Sequence, residues 1–271
     1  MAGARHVGVG GWTYEPWRDN FYPKGLPQAR ELEYASRHLS AIEINGTYYG
    51  TQKRDSWIKW AETVPDGFVF AVKASRFCTN RRVLAEGAES IAKFLGQGLI
   101  ELGPKLGPIL WQFMPAKKFE PGDFGAFLKL LPRERDGVRL RHAIEVRHES
   151  FVCPEFVELA RAHDCAIVFA DHAEYPAIAD PTASFVYARL QQSRSEVPTG
   201  YDDGELDRWA DCVRDWTAGR SPDALPYVAG KPIDGPPRDA FVFFISGAKE
   251  RAPAAAQALI GRLDQGQLQS S

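Results

Sequence analysis

The sequence predicts one (β/α)8 barrel of the TIM type, spanning residues 1–271 as a single domain. Three observations lead there. The chain has 271 residues, close to the roughly 250 typical of this fold. Short apolar runs of strand length alternate with longer stretches of helical spacing, which gives eight strands and a parallel sheet covered by helices. The first strand runs through Gly8, Gly10 and Gly11 into Trp12 with no third glycine opening a helix. That departs from the dinucleotide fingerprint of an open, doubly wound sheet.

The strands are expected at His6–Gly11, Ala41–Asn45, Phe68–Lys73, Pro108–Phe113, Arg141–Val146, Ala166–Ala170, Ser184–Leu190 and Ala240–Ile245. Between them, Lys53–Thr63 places Trp57, Ile58 and Ala61 on one helical face, with Trp60 beside them. Pro154 sits where a first helical residue belongs, and Phe156, Val157, Leu159 and Ala160 repeat behind it. Asp203 is read as the cap of a helix whose stripe is Leu206, Trp209, Ala210, Val213 and Trp216. Pro253 opens the last helix, with Ala256, Leu259, Ile260 and Leu263 turned inward. The stretch after strand six, 171–181, is too short and too proline-broken for a helix, so one connection is expected to be irregular.

Composition narrows the function. The chain is 44% hydrophobic and 25% charged, with a formal net charge of −2. No field of the whole molecule would therefore draw it to nucleic acid or an anionic membrane. No window approaches the ~18 apolar residues of a membrane span. The opening MAGARHVGVGG lacks the basic and long apolar regions of a signal peptide, so a cytoplasmic protein is expected. Cys78, Cys153, Cys165 and Cys212 show no CxxC spacing and read as reduced, unpaired thiols. Nothing in the sequence fixes the oligomeric state.

In barrels of this type the working residues come from the C-terminal strand ends, and side chains at i and i+2 share a face. On that rule Glu43 and Asn45 point inward from strand two, Lys73 from strand three and Gln112 from strand four. Glu145 and Arg147 do so from strand five, and Arg189 and Gln191 from strand seven. In strands two and five they alternate with apolar side chains destined for the outer helices. Charge inside a barrel is costly unless it is paired or lines an open pocket. An ion network that merely fills the barrel is one account. It does not explain why so many charged groups fall at the same end, where Val, Ile and Leu would serve stability.

A pocket for an anionic or polyhydroxylated ligand is the other account. Arg147 and Arg189 offer planar forks for carboxylate or phosphate, Lys73 and Arg76 add charge, and Trp12 and Tyr48 are candidates to stack on a ring. Glu145, Glu43 and Lys73 are the candidate acid–base residues. Trp12, Tyr14, Trp17, Tyr22, Tyr48 and Tyr49 crowd the same mouth, where pinning long loops is an equal explanation. Metal is not expected, because the six histidines form no HxH or HExxH pair. His148 and His172, with Glu145 and Asp171, are the only mixed set near the mouth. There is no GxSxG elbow and no nucleotide-cofactor motif, and the cofactor is otherwise unassigned.

The motifs GGWTYEPWRDNFYP, IEINGTYYG, PDGFVFAVKASRF, LGPILWQFMP, AIEVRHESF, VYARL and AFVFFISGAKERAPAAAQAL together resemble the YecE-like family, domain of unknown function 72, in order and over nearly the whole chain. The resemblance implies the barrel and leaves the activity open. Where the family pattern has Thr-His after strand three, this chain has Thr79-Asn80. Arg-Leu-His-Gly at the end of strand seven becomes Arg189-Leu190-Gln191-Gln192, and an asparagine pair after strand eight becomes Ile245-Ser246. Family-like Glu43, Asn45, Lys73, Gln112, Glu145, Arg147 and Arg189 remain.

The expectation is thus an uncharacterised barrel enzyme, of hydrolase or lyase type, acting on a small anionic sugar-like or nucleotide-like molecule. Two rivals stay open. One is a nucleic-acid-binding barrel using Lys73, Arg76, Arg81 and Arg82. The other is a non-catalytic binding or scaffold protein, suggested by the missing histidines.

Overall fold

A computed structural model describes residues 2–18 and 20–268. Eight parallel strands close a barrel in chain order: β1 (Arg5–Gly10), β2 (Ala41–Ile44), β3 (Val69–Lys73), β4 (Leu106–Gln112), β5 (His142–Glu145), β6 (Cys165–Asp171), β7 (Phe185–Leu190) and β8 (Asp239–Phe244). Pairing of β1 with β8, from Arg5↔Ala240 to Val9↔Phe244, completes the ring.

All eight expected strands are present, with ends shifted by a residue or two. β4 starts earlier than expected, because Gly107-Pro108 reads as a breaker yet lies inside the strand. A Cβ on Gly107 would lie 2.8 Å from the Phe70 carbonyl oxygen, beside a register shift between Phe70 and Val72. Glycine there admits a close approach of β3.

The helices are α1 (Glu31–His38), α2 (Arg54–Thr63), the single turn α3 (Arg76–Thr79), α4 (Ala88–Leu95), α5 (Pro121–Lys129), α6 (Pro154–Ala162), α7 (Asp203–Thr217) and α8 (Ala252–Leu268). The cap of α7 is Asp202, not Asp203. Its carboxylate accepts from Glu205 N at 2.8 Å while Glu205 accepts from Asp202 N at 2.8 Å. That reciprocal box needs residues three apart, which 202 and 205 supply. Pro253 is the second residue of α8, behind Ala252.

No helix follows β6, as expected. The chain returns through Thr182, whose hydroxyl bridges Cys165 O (2.6 Å) and Ile167 N (3.0 Å). Asp180 then takes the Val228 and Ala229 amides. A short ribbon pairing Glu134–Arg135 with Val138–Arg139 precedes β5. Its turn is Asp136-Gly137, both at positive φ, the dipeptide that favours a tight hairpin.

Strand alternation sorts the core into two shells. Ile42, Ile44, Trp111 and Ile144 face outward into the helices. Ala41, Ala71, Ala143 and Ala166 face inward and leave room for Phe185, Tyr187, Phe241 and Phe243. The four cysteines are free, with Cys153 half-buried and the others buried. Among the described residues no helix is long and apolar enough to cross a membrane.

Candidate functional site

Two residues beyond five of the inner positions the side chains turn from apolar to charged or polar. Ala41 gives way to Glu43, Ala71 to Lys73, Leu110 to Gln112, Ala143 to Glu145 and Tyr187 to Arg189. Period-two geometry thus stacks one polar layer on the apolar filling at the C-terminal end of the barrel.

Arg189 is the centre of this layer. It donates to both oxygens of Glu43, from Nε at 3.1 Å and Nη2 at 3.0 Å, and from Nη1 to Glu145 Oε2 at 2.6 Å. Tyr187 adds its hydroxyl to Glu43 Oε2 at 2.7 Å, and Gln112 Nε2 reaches Glu145 Oε2 at 2.9 Å. Arg147 holds Glu145 Oε1 through Nε at 3.0 Å and Nη2 at 2.9 Å. All four carboxylate oxygens therefore have donors, and both glutamates are fully buried. Burial opposes ionisation of Glu145, but Arg189, Arg147, Gln112 and Lys73 outweigh it and hold its carboxyl below the ordinary range. Burial, and then the charge of Glu43, push the Tyr187 phenol well above its ordinary value.

Above the layer opens a pocket of about 710 Å³. Among the described residues its lining has four cations (Lys73, Arg147, Arg189 and Lys249), the aromatics Trp12, Tyr49 and Trp60, and no carboxylate. The Lys73 ammonium rests 4.3 Å from the Tyr48 ring centroid. Burial first, and then the charge of Arg189, push its pKa down to about 8. Lys249 lies 4.4 Å from the Tyr14 ring centroid, and burial lowers its pKa. Arg147 is capped by Tyr175, 4.4 Å from its guanidinium carbon, in the helix-free connection after β6.

Of the residues expected at the site, Lys73, Arg147, Arg189, Asn45, Gln112 and Trp12 line this pocket. Glu43 and Glu145 do not; they lie sealed beneath it. Tyr48 supports Lys73, and its hydroxyl accepts from Asn80 Nδ2 at 3.1 Å. Its neighbour Tyr49 takes the lining place. Gln191 is buried to the side, accepting from the Ser246 hydroxyl at 3.3 Å, and its Nε2 has no partner.

Arg76 is outside the pocket, exposed over Phe77, because the chain has already left β3 and begun α3. The basic run does not form one surface. Lys73 faces the pocket, and Arg81 has its Nε and Nη1 buried. Trp17 and Tyr22 are buried loop pins, donating to Lys249 O at 2.9 Å and Trp12 O at 2.6 Å. His148 caps a turn through Ser150 N, and His172 stacks on Tyr175 at 4.0 Å. Among the described residues no three His, Cys, Asp or Glu side chains gather as a metal site.

Lys249 and Trp60 escaped the sequence reading. Lys249 lies five positions past the end of β8, where strand parity no longer assigns a direction. Trp60 reads as part of the packing face of α2.

The fold is shared with known proteins. A DUF72 family protein from Enterococcus faecalis V583 is 18% identical, with a TM-score of 0.71 over 96% of this chain and 95% of its own. A DUF72 family protein from Thermotoga maritima MSB8 is 20% identical, with a TM-score of 0.68 over 99% of this chain and 100% of its own. UPF0759 protein YunF of Bacillus subtilis (strain 168) is 25% identical over 158 residues, 56% of this chain. The match spans about half of that relative's length, 54%. The model of the family described as protein of unknown function DUF72 matches residues 6–271, and this chain belongs to that family.

Proposed function

We propose that this barrel is an enzyme of hydrolase or lyase type that takes a small anionic ligand, sugar-like or nucleotide-like, into the mouth pocket. One observation carries the reading. Among the described residues, four cations face the pocket while the two carboxylates of the layer, Glu43 and Glu145, are sealed below it with every oxygen engaged. Four cations against two carboxylates leave two positive charges unmatched, enough for a phosphate or a pair of carboxylates. Arg147 and Lys73 offer those charges to the ligand, and Trp12 and Tyr49 offer faces to a ring. Lys73 is the proton-transfer group, because its lowered pKa brings it near working pH. Glu43 and Glu145 position Arg189 and Arg147.

A thermal-shift screen against sugar phosphates, nucleotides, carboxylates, divalent metals and short oligonucleotides tests the reading. A ligand at 100 times its Kd adds about 2.7 kcal/mol, roughly 5–10 °C for a domain of this size. Arg147→Met should abolish the shift given by a small anion. If oligonucleotides alone stabilise the protein, and steeply less so in salt, the small-molecule reading falls to the nucleic-acid one. Tight anion binding without turnover would make the protein a binding module.

The pH dependence has a definite sign. An anion gains from the Lys73 charge, so its affinity should be full below pH 8 and fall as pH rises through about 8. Isothermal titration from acid to alkaline pH checks this. Lys73→Met should bind more weakly, with that fall removed; an unchanged profile would dissociate Lys73 from the ligand.

A further inference from the structure

We infer that Lys73 is an imine-forming residue, whose side-chain nitrogen condenses with the carbonyl of an anionic aldehyde or ketone held in the mouth pocket. The inference rests on the proposed anion pocket and adds the substrate's reactive group and the covalent step.

The arrangement around Lys73 carries it. A lysine among glutamates ordinarily pairs with one of them. Here Arg189, Arg147, Tyr187 and Gln112 occupy every carboxylate oxygen of Glu43 and Glu145. Among the described residues, no carboxylate oxygen lies within the 4.0 Å ion-pair distance of Lys73 Nζ. The nitrogen instead faces the pocket, with the Tyr48 ring against it and the Arg189 cation behind. A partnerless ammonium in a half-dry pocket, beside a like charge, loses its proton readily and becomes a nucleophile.

The step balances without any further reactant. The ammonium and the carbonyl give a protonated imine and one water; the C=O bond is replaced by C=N, and two protons of the nitrogen leave in the water. The product keeps the single positive charge of the reactant. The Tyr48 face, Glu43 and Glu145 therefore stabilise it as they stabilise the ammonium. Arg147, two residues past the end of β5, remains to hold the anionic end of the ligand and set the carbonyl over Nζ. Lys249 is the other lysine of the pocket, and its nitrogen is committed to Tyr14 and Trp17.

The test uses the whole protein and pyridoxal 5′-phosphate, a phosphorylated aldehyde, with borohydride to fix any imine and peptide mass mapping to locate it. With a pKa of about 8, about one Lys73 in ten is neutral at pH 7, about two- to three-hundredfold more than an ordinary lysine. Label should concentrate on Lys73 at least about tenfold over any other lysine, since part of that excess is lost to the weaker basicity. It should rise with pH to about 8 and compete with inorganic phosphate. Lys73→Arg keeps the charge and should lose the label, whereas Lys129→Met, on the exposed face of α5 and outside the pocket, should keep it.

Label spread over surface lysines, or concentrated on Lys249, overturns the inference. Pyridoxine 5′-phosphate, with an alcohol in place of the aldehyde, separates the two readings. If it stabilises the protein while the aldehyde leaves Lys73 unmodified, imine formation falls and the anion pocket stands. If neither compound binds, both fall.

Discussion

Arg189→Met should cost about 3–5 kcal/mol of folding free energy, the range for breaking a buried ion pair by removing one partner. Two carboxylates would be left inside the barrel without the cation that donates to both. Neither can reach water, since both are fully buried. The expected fall in Tm is roughly 6–20 °C for a domain of this size. The pH dependence identifies the cause. In the parent, Glu145 has a depressed pKa, so its contribution is present above the unfolded carboxyl value and lost as pH falls through the folded one. In the variant Glu145 loses the Arg189 charge, the largest of the effects that lower its pKa, so its carboxyl ionises less readily than in the parent, and the penalty, full at neutral pH, fades as pH falls. The two stability curves should therefore converge toward acid. Urea unfolding of both proteins from neutral pH to about pH 4 measures this. A loss under about 1 kcal/mol, or a gap that widens in acid, would show that Arg189 is not the keystone of the layer.

Gly8→Ala should be at least as damaging, for a steric reason. A Cβ on Gly8 would fall 1.8 Å from the Ala41 carbonyl oxygen, and Gly8 pairs with Ala41 where β1 meets β2. The obstacle is backbone on a neighbouring barrel strand, so relief requires the ring itself to open or slip. A loss beyond about 3 kcal/mol, or failure to accumulate folded protein, is expected. Gly50→Ala is the matched control. Nothing lies within 4 Å of its added Cβ, and the change should stay within about 0.5 kcal/mol. Equal stabilities of the two variants would sink the argument.

The barrel was legible because strand parity and helical spacing are local signals that survive without knowledge of the partner. The same parity brought Glu43, Lys73, Gln112, Glu145 and Arg189 correctly to one end and one face. It could not tell that the two glutamates would be sealed below the pocket. That depends on Arg189 reaching across the barrel to both of them, a contact between residues 146 and 44 positions apart. Arg76 was misplaced and Lys249 missed because each lies past the end of its strand, where parity no longer assigns a direction. The Asp136-Gly137 ribbon was readable from its turn dipeptide, and the Asp202–Glu205 box from its spacing.

The engagement of Glu43 and Glu145 has a consequence for how this site can change over time. Glu43 and Glu145 meet their protein donors and not the ligand, so they behave as a fixed bias beneath a replaceable collar. Ser246 belongs to that collar, lining the cavity, and Asn80 and Gln191 stand behind the lining. Asn80 bonds the tyrosine under Lys73, and Ser246 donates to Gln191. Substitution there alters the shape and hydrogen bonding offered to a guest while the electrostatic offer stays constant. The two properties are accordingly separable in this barrel: the buried layer biases which charge is admitted, and the collar decides which shape is.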